Sequence, residues 1–427
     1  MRNRTKHSNK YLRTAAVLII TGCMLMLSAC STYNSFKQTF INEPESITDP
    51  VFTIGVIEPQ TGKNSEKGKA EIKGIELANS IYSNVDGYKV QLVKVDTQSA
   101  VGATETAIQA LTEMKPVAII GAAGDASSLA ISEYIDEAGI PAITPSATNP
   151  LITQNSKYYF RACLIEPQMG EGLAEYAYEK LGSSKIGVVS IKNDTSTSAL
   201  LDGFYDKIKK LAGKRSKAIA MSAEITPDEE GMRETLREVK SSGADVCFVS
   251  MGSEEMDIFF DLAEDMGLTG ITYLGTKAWG NDDFISMMSG HRNIKVVFPY
   301  ETVLSDNTDS GDVQSEEGEK FRIEYAGRYG DDDIPTDNAA LGYDSYLLLI
   351  NAIHNAKSLE GPRIREALRE IDGLKCATGV FSFDDTGNVV RAVTLASISD
   401  GKPVLEYTTD SEAKAKKLVN TETGGTE

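Results

Sequence analysis

Acid–base, nucleophilic and metal chemistry each need particular side chains at particular spacings, and this sequence offers few of them. Its three histidines are His7, His291 and His354. His7 lies in a basic N-terminal segment, His291 follows Gly290 in a loop, and His354 falls on a leucine-rich helical stretch. No His-x-x-x-His or Cys-x-x-Cys spacing offers a metal site. No Gly-x-Ser-x-Gly or Ser-His-Asp arrangement suggests a nucleophile. The adjacent Asp384 and Asp385 precede Thr386-Gly387-Asn388, a context that reads as turn chemistry rather than paired catalytic carboxylates. No reaction, cofactor or resident metal is therefore expected.

One loop does carry binding chemistry. Gly121-Ala122-Ala123-Gly124-Asp125 follows the apolar run PVAII, with Ser127 and Ser128 just beyond. It lacks Gly-Lys-Ser/Thr and G-x-G-x-x-G, and Asp125 at its mouth opposes an anion. Backbone N–H groups, two hydroxyls and a carboxylate at a helix start suit a small polar ligand. A plain helix cap by Asp125 accounts for the same residues.

The elements that position this loop alternate regularly. Strand-like runs fall at Val51–Ile57, Lys89–Val95, Pro116–Ala122, Pro141–Thr144, Lys185–Ile191, Val246–Met251 and Ile271–Gly275. Between them apolar residues recur at helical spacing, as at Ile75, Leu77 and Ala78 or Phe259, Phe260, Leu262 and Ala263. This β-α-β-α order predicts an α/β fold of parallel sheets covered on both faces. The series plays twice, from Val51 to about Cys163 and from about Leu164 to Pro299, so two lobes with a cleft at the strand carboxyl ends are expected. Residues Tyr300 to Tyr407 add three helical stretches and a hairpin turning at 385–388, and complete both lobes. The stretch 305–315 reads as a polar loop.

The N-terminus bears on compartment. Arg2, Arg4, Lys6, Lys10 and Arg13 precede an apolar run, Ala15–Leu27, that is shorter than the ~20 residues of a membrane-spanning helix. It reads as an export signal over residues 1–29. The Leu27-Ser28-Ala29-Cys30 sequence resembles the lipobox of bacterial lipoproteins, in which Cys30 becomes the lipidated first residue; the alternative is an ordinary signal with an incidental cysteine. Residues 30–50 and 408–427 read as a flexible tether and tail. The whole chain has a net charge of −19, and the five basic residues before Cys30 are matched by no acid there. The exported part is thus more acidic still, which argues against nucleic-acid binding. Cys163, Cys247 and Cys376 are an odd set in the exported body; the first two lie in strand-like runs and read as buried thiols.

Several segments together carry a family resemblance: GVIEPQTG (55–62), AIIGAAGDASS, GIPAITPSATNPLIT, YYFRACLIEPQMGEGLA, DNAALGYDSYLLLINAI and TGVFSFDDTGNVV. The chain resembles the substrate-binding lipoproteins of branched-chain amino-acid-type ABC importers, leucine/isoleucine/valine-binding-protein-like, from Val51 to about Tyr407. The resemblance implies a type I periplasmic-binding-protein fold, with two Rossmann-like lobes joined by three crossovers near 163–164, 299–300 and 378–379. Lobe 1 would comprise 51–163 plus 300–378, and lobe 2 164–299 plus 379–407. It further implies a monomer, lipid-anchored on the extracytoplasmic side, that captures an amino-acid-like solute and delivers it to ABC permease subunits. A ligand-sensing co-receptor of the same fold is the alternative.

The resemblance places the ligand against Asp125 and against Ser146, Ala147 and Thr148; Ser127 joins them as a hydroxyl of the same loop as Asp125, and Thr195, Gly252, Lys277 and Trp279 are the second-lobe candidates. Two positions depart from the family pattern. Lys277 stands where an acid commonly meets the ligand ammonium, and Asp125 where a serine is usual. Three arrangements remain open at this point: Asp125 and Lys277 grip opposite ends of a zwitterion, they pair with each other on closure, or Lys277 points to solvent. Trp279 either lines the cleft or packs, and Lys67 is a weaker candidate.

Overall fold

A computed structural model describes residues 50–194, 197–213, 217–301 and 316–409. The signal and tether expectations, Cys30, Thr195, the 305–315 loop and nearly all of the 408–427 tail lie outside them. Among the described residues, no helix is long and apolar enough to cross a membrane.

The first half builds a sheet from β1 (Val51–Glu58), β2 (Asn84–Val85), β3 (Tyr88–Asp96), β4 (Ala118–Gly121), β5 (Ala142–Thr144) and β6 (Tyr159–Arg161), in the order β2-β3-β1-β4-β5-β6. All neighbours are parallel except the short β2–β3 pair. Connecting helices α1 (Ser65–Ile81), α2 (Val101–Glu113) and α3 (Asp125–Ala138) supply the crossovers that parallel strands require. The central strands are buried on both faces, which is why they read as unbroken apolar runs such as AIIG.

The second half repeats the plan with β7 (Ile186–Ile191), β8 (Ile219–Ile225), β9 (Val246–Ser250), β10 (Thr272–Leu274) and β11 (Lys295–Pro299). Two antiparallel strands, β15 (Thr394–Ser399) and β16 (Lys402–Thr408), extend it, giving the order β16-β15-β11-β10-β9-β7-β8. Its helices include α5 (Glu166–Glu175), α6 (Ser198–Ala212), α7 (Glu229–Ser242) and α8 (Met256–Asp265), α4 being the short turn Leu151–Gln154. One continuous core contains residues of both sheets, among them Val56, Ile120, Val188 and Phe248, and a second core fills the other face of each sheet.

After β11 the chain returns to the first sheet. Beyond helices α9 (Asp282–Met287) and α10 (Glu316–Tyr329), helix α11 (Asp337–Ala356) lies along α1, so closely that Gly74 faces the carbonyl of Ala339 where a Cβ would be 1.8 Å away. The hairpin strands β12 (Leu374–Cys376), β13 (Gly379–Phe383) and β14 (Val389–Val390) form a small antiparallel sheet of their own. The expected crossing at 378–379 is displaced by this hairpin, because β13 and β14 stay with the first half. The Phe383 ring meets Phe160 edge-on at 5.3 Å, Arg161 N–H donates to Gly387 O at 3.1 Å, and Thr153 Oγ1 donates to Asn388 Oδ1 at 2.9 Å. The chain passes to the second sheet only at 391–393. Asp384 Oδ1 accepts from the Thr386 and Asn388 amides at 2.9 Å, so Asp384 serves the turn.

Candidate functional site

In each sheet the first strand is flanked by strands that the chain reaches in opposite directions. The crevice outside the carboxyl ends of such strands is where open α/β sheets take ligands. In the first sheet this point lies between β1 and β4, which end on Glu58 and Gly121. Glu58 is fully buried, and its Oε2 accepts from Ala123 N–H at 2.7 Å. Glu71, on the buried face of α1, is also fully buried and accepts a short hydrogen bond from Ser146 Oγ. Burial, then the neighbouring Glu71 charge, raises the Glu58 carboxyl well above the usual range. Burial raises Glu71 as well, while the Lys67 charge and a hydrogen bond from Glu58 hold it down. Burial and the facing charge thus favour the protonated form of this pair, more strongly at Glu58 than at Glu71.

The Ser-Ala-Thr turn sits beside this pair. Lys67 Nζ donates to Ser146 O at 3.4 Å. Asp125 Oδ1 accepts from the amides of Thr148 at 2.7 Å and Asn149 at 3.1 Å, so this carboxylate ties the two loops together. Asp125, Ser146, Ala147 and Thr148 are thus gathered at one end of the sheet. Two of the expected roles are already filled from within the chain. Ala147 is wholly buried, and its carbonyl accepts from Arg161 Nη1 at 2.9 Å and Cys163 Sγ at 3.2 Å, leaving nothing for a ligand ammonium. Ser127 turns toward α2, with its Oγ 3.2 Å from Thr104 Oγ1, and joins helices rather than facing the crevice.

The second sheet has its corresponding point between β7 and β9, where Thr197 Oγ1 and Ser250 Oγ lie 2.8 Å apart. Gly252 follows, half-buried. Trp279 does not line a cleft. It has no exposed surface, stacks on Phe284 at 4.9 Å and 16°, and donates from Nε1 to Met251 O at 3.1 Å. Gly275 is required beneath it, since a Cβ there would sit 2.0 Å from the indole. Trp279 is a core anchor with its polar atom satisfied.

Lys277 neither pairs with Asp125 nor points to solvent. It leaves the second sheet after β10, and its Nζ lies 3.0 Å from Asp337 Oδ2, at the start of α11, and 3.4 Å from Glu301 Oε1. Glu301, nearly inaccessible, also receives Arg391 Nη2 at 2.7 Å. Glu301 and Arg391 belong to two of the strands of chain that pass between the sheets, so charges of both halves and of the crossings form one cluster. Burial opposes the Lys277 charge, but Asp337 and Glu301 outweigh it and raise its pKa. Asp337 is correspondingly held below the usual carboxylate range by Lys277.

A third group of acids completes the site. Glu166, opening α5, is raised to about 7 by burial and then by the charges of Asp125 from the first half and Asp194 from the loop after β7. Three carboxylates from both sides thus make a region of negative potential that favours a cation. Reading of the sequence missed Glu58, Glu71, Glu166, Glu301, Asp337 and Arg391. Glu58 and Glu71 had a usable signal, because each is an acid at a position whose neighbours in the pattern are all buried. Cys163 and Cys247 are buried free thiols, which burial pushes up to about 11 and about 12, and Cys376 is buried as well.

A family model described as periplasmic binding protein matches residues 51–403. An amino acid binding protein of Pseudomonas aeruginosa is 27% identical over 57% of this chain, and the match spans 65% of that relative's length. A leucine binding protein structure from Thermotoga maritima is 26% identical, covers 85% of this chain and 99% of its own, and has a TM-score of 0.67. A branched-chain amino acid transporter substrate binding protein of Streptococcus pneumoniae, in complex with isoleucine, is 22% identical with a TM-score of 0.65, covers 84% and 98% of the two chains, and shares the fold.

Proposed function

This chain belongs to the periplasmic binding protein family, and we propose that within it the protein is the solute-capturing component of an ABC importer, taking an amino acid or related small polar solute with a cationic end. The observation that carries this reading is that Asp125, Glu166 and Asp194 each follow the carboxyl end of a strand, β4, β6 and β7 of the two halves, and that the charges of Asp125 and Asp194 act on Glu166. A ligand ammonium held there gains charge-assisted hydrogen bonds in a region that closure dries. The amino-acid-binding relatives support the solute class. The cationic end is this chain's own emphasis, because Lys277 is held by Asp337 and Glu301.

The basic, apolar and Leu-Ser-Ala-Cys order at the N-terminus supports export and lipidation at Cys30, so the body works as a membrane-tethered monomer facing outward and meets permease subunits there. Mass spectrometry of solute retained through purification, followed by a thermal-shift panel of amino acids, amines and carboxylic acids, tests the ligand class. Amine-bearing solutes raise the melting temperature and simple carboxylic acids do not; a profile flat across the amines sinks the reading. Cys30→Ser tests the anchor separately and moves the protein from the membrane fraction to the soluble one.

A further inference from the structure

The described residues contain one cluster of His, Asp and Glu side chains with metal-ligating reach, and it lies far in the chain from the carboxylates described above. Ligand atoms of Asp261, Glu264 and His291 all lie within 4.8 Å of one another. Asp257, Asp261 and Glu264 occupy successive turns on one face of α8, at spacings of four and three, and His291 comes from the loop that leads into β11. Both that loop and the last turn of α8 precede parallel strands, so the cluster sits at the amino ends of the second sheet, opposite the solute crevice.

The histidine geometry is informative. His291 is 3% exposed, and its ring is held edge-on to Phe260 at 5.7 Å and 61°. Nε2 lies 2.9 Å from Asp257 Oδ1, which can only accept, so Nε2 carries a proton. In the neutral ring this leaves a lone pair on Nδ1, and Nδ1 faces Glu264 Oε2 at 3.3 Å. Either a second proton, making the ring an imidazolium that donates to both carboxylates, or a bound cation satisfies that contact. A positive centre between Nδ1 and Oε2 makes the contact favourable, as it also does the like charges of Asp257, Asp261 and Glu264 stacked on one helix face.

We propose that Asp261, Glu264 and His291 Nδ1 bind a borderline divalent cation of the Zn2+, Co2+ or Ni2+ type. One imidazole with two carboxylates suits these ions better than Mg2+ or Ca2+, which take all-oxygen shells. With metal–ligand distances of about 2.0–2.1 Å, two ligands of a tetrahedral ion stand about 3.3 Å apart, the separation already found between Nδ1 and Oε2. Asp261, exposed and free to change rotamer, closes the third position, and water completes the shell. Asp257 on Nε2 fixes the tautomer and orients the ring, the arrangement usual for metal-binding histidines.

The test is titration of the EDTA-treated full chain with ZnCl2 by calorimetry and with CoCl2 by absorption spectroscopy. The expected result is one equivalent bound, with a visible cobalt band of a site containing nitrogen. His291→Gln abolishes it, Asp261→Asn weakens it at least tenfold, and Asp257→Asn weakens it by ~10–100-fold. Asp261→Asn alters only an exposed side chain, so its unliganded melting curve stays that of the parent and the comparison holds even if His291→Gln folds poorly. No saturable binding by the parent chain means that a proton alone fills the gap, and overturns the proposal. Parental affinity retained in Asp261→Asn overturns it equally.

Discussion

Lys277 Nζ lies 3.0 Å from Asp337 Oδ2, joining the end of β10 in the second sheet to the first turn of the long helix that covers the first. A cation placed between Asp337 and the nearly inaccessible Glu301 serves the seam of the molecule before it serves a ligand. Lys277→Met leaves Glu301 to Arg391 alone and Asp337 without its partner. Removing one member of a buried pair typically costs 3–5 kcal/mol. Lys277 keeps some solvent access, so about 2–3 kcal/mol is expected, read as a lower urea midpoint at unchanged slope. Lys277→Glu stacks three carboxylates and is worse. Parental stability in Lys277→Glu would show that the cluster holds nothing together.

Glu166 is expected to make the protein's stability and its affinity for an amine solute depend on pH in opposite directions. Its carboxyl titrates near 7 when folded, against an ordinary value of 4.5, because burial and the charges of Asp125 and Asp194 oppose ionisation. Between those values the folded state holds more protons than the unfolded one, so the stability contribution is complete below about pH 4.5 and is lost as pH rises through 7. Glu166→Gln remains uncharged throughout. It is expected to melt higher than the parent at pH 8 and at the same temperature at pH 4. A ligand ammonium displaces the proton, so affinity for an amine solute rises with pH through 7 in the parent and loses that dependence in the variant. Isothermal titration at pH 5.5, 7 and 8.5 reads this directly.

The pattern of what the sequence disclosed follows from how side chains are used. Buried parallel strands such as AIIG and VCFVS announced themselves, since both faces are apolar. Strand β8 did not, because it lies at a sheet edge and alternates half-buried Ile219, Met221 and Ala223 with exposed residues. The hairpin at 379–390 was visible, but not its allegiance, which depends on the Phe160–Phe383 contact between segments far apart in sequence. At the site, the loops bearing Asp125 and Ser146–Thr148 could be located from turn residues and family resemblance. Their hydrogen-bond partners could not, and those partners decide that Ala147 is occupied by Arg161 and that Ser127 belongs to Thr104. Trp279 shows the same limit: the sequence left a cleft wall and core packing both open, and the 3-10 turn at 277–280 swings the indole into the core.

The Glu58–Glu71 pair yields an asymmetric mutational result. Burial and the Glu71 charge favour the neutral form of Glu58, so Glu58→Gln keeps that form and retains an acceptor for the Ala123 amide. It is expected to cost under about 1 kcal/mol. Glu71→Gln removes the charged member that accepts from Ser146 and faces Lys67, and is expected to cost about 1.5–3 kcal/mol, the range for hydrogen bonds to charged groups. Chemical denaturation of both at pH 7 measures the difference. Equal losses would mean that the proton is not placed as described.

Trp279 offers a spectroscopic reporter, because it is the only tryptophan in the chain. It lies in the second core, stacked on Phe284 and edge-on to Phe260, with its Nε1 bonded to Met251 O. Solute binding at the strand carboxyl ends leaves those contacts in place, whereas unfolding destroys them. The emission maximum is therefore expected to stay put on ligand addition and to shift strongly to the red in urea. Trp279→Phe keeps a ring over Gly275 and costs about 1–2 kcal/mol, while Trp279→Ala empties the space between Phe284 and Gly275 and costs about 3–5 kcal/mol. A ligand-induced emission shift comparable to that of unfolding would put the indole at the crevice and overturn its assignment to the core.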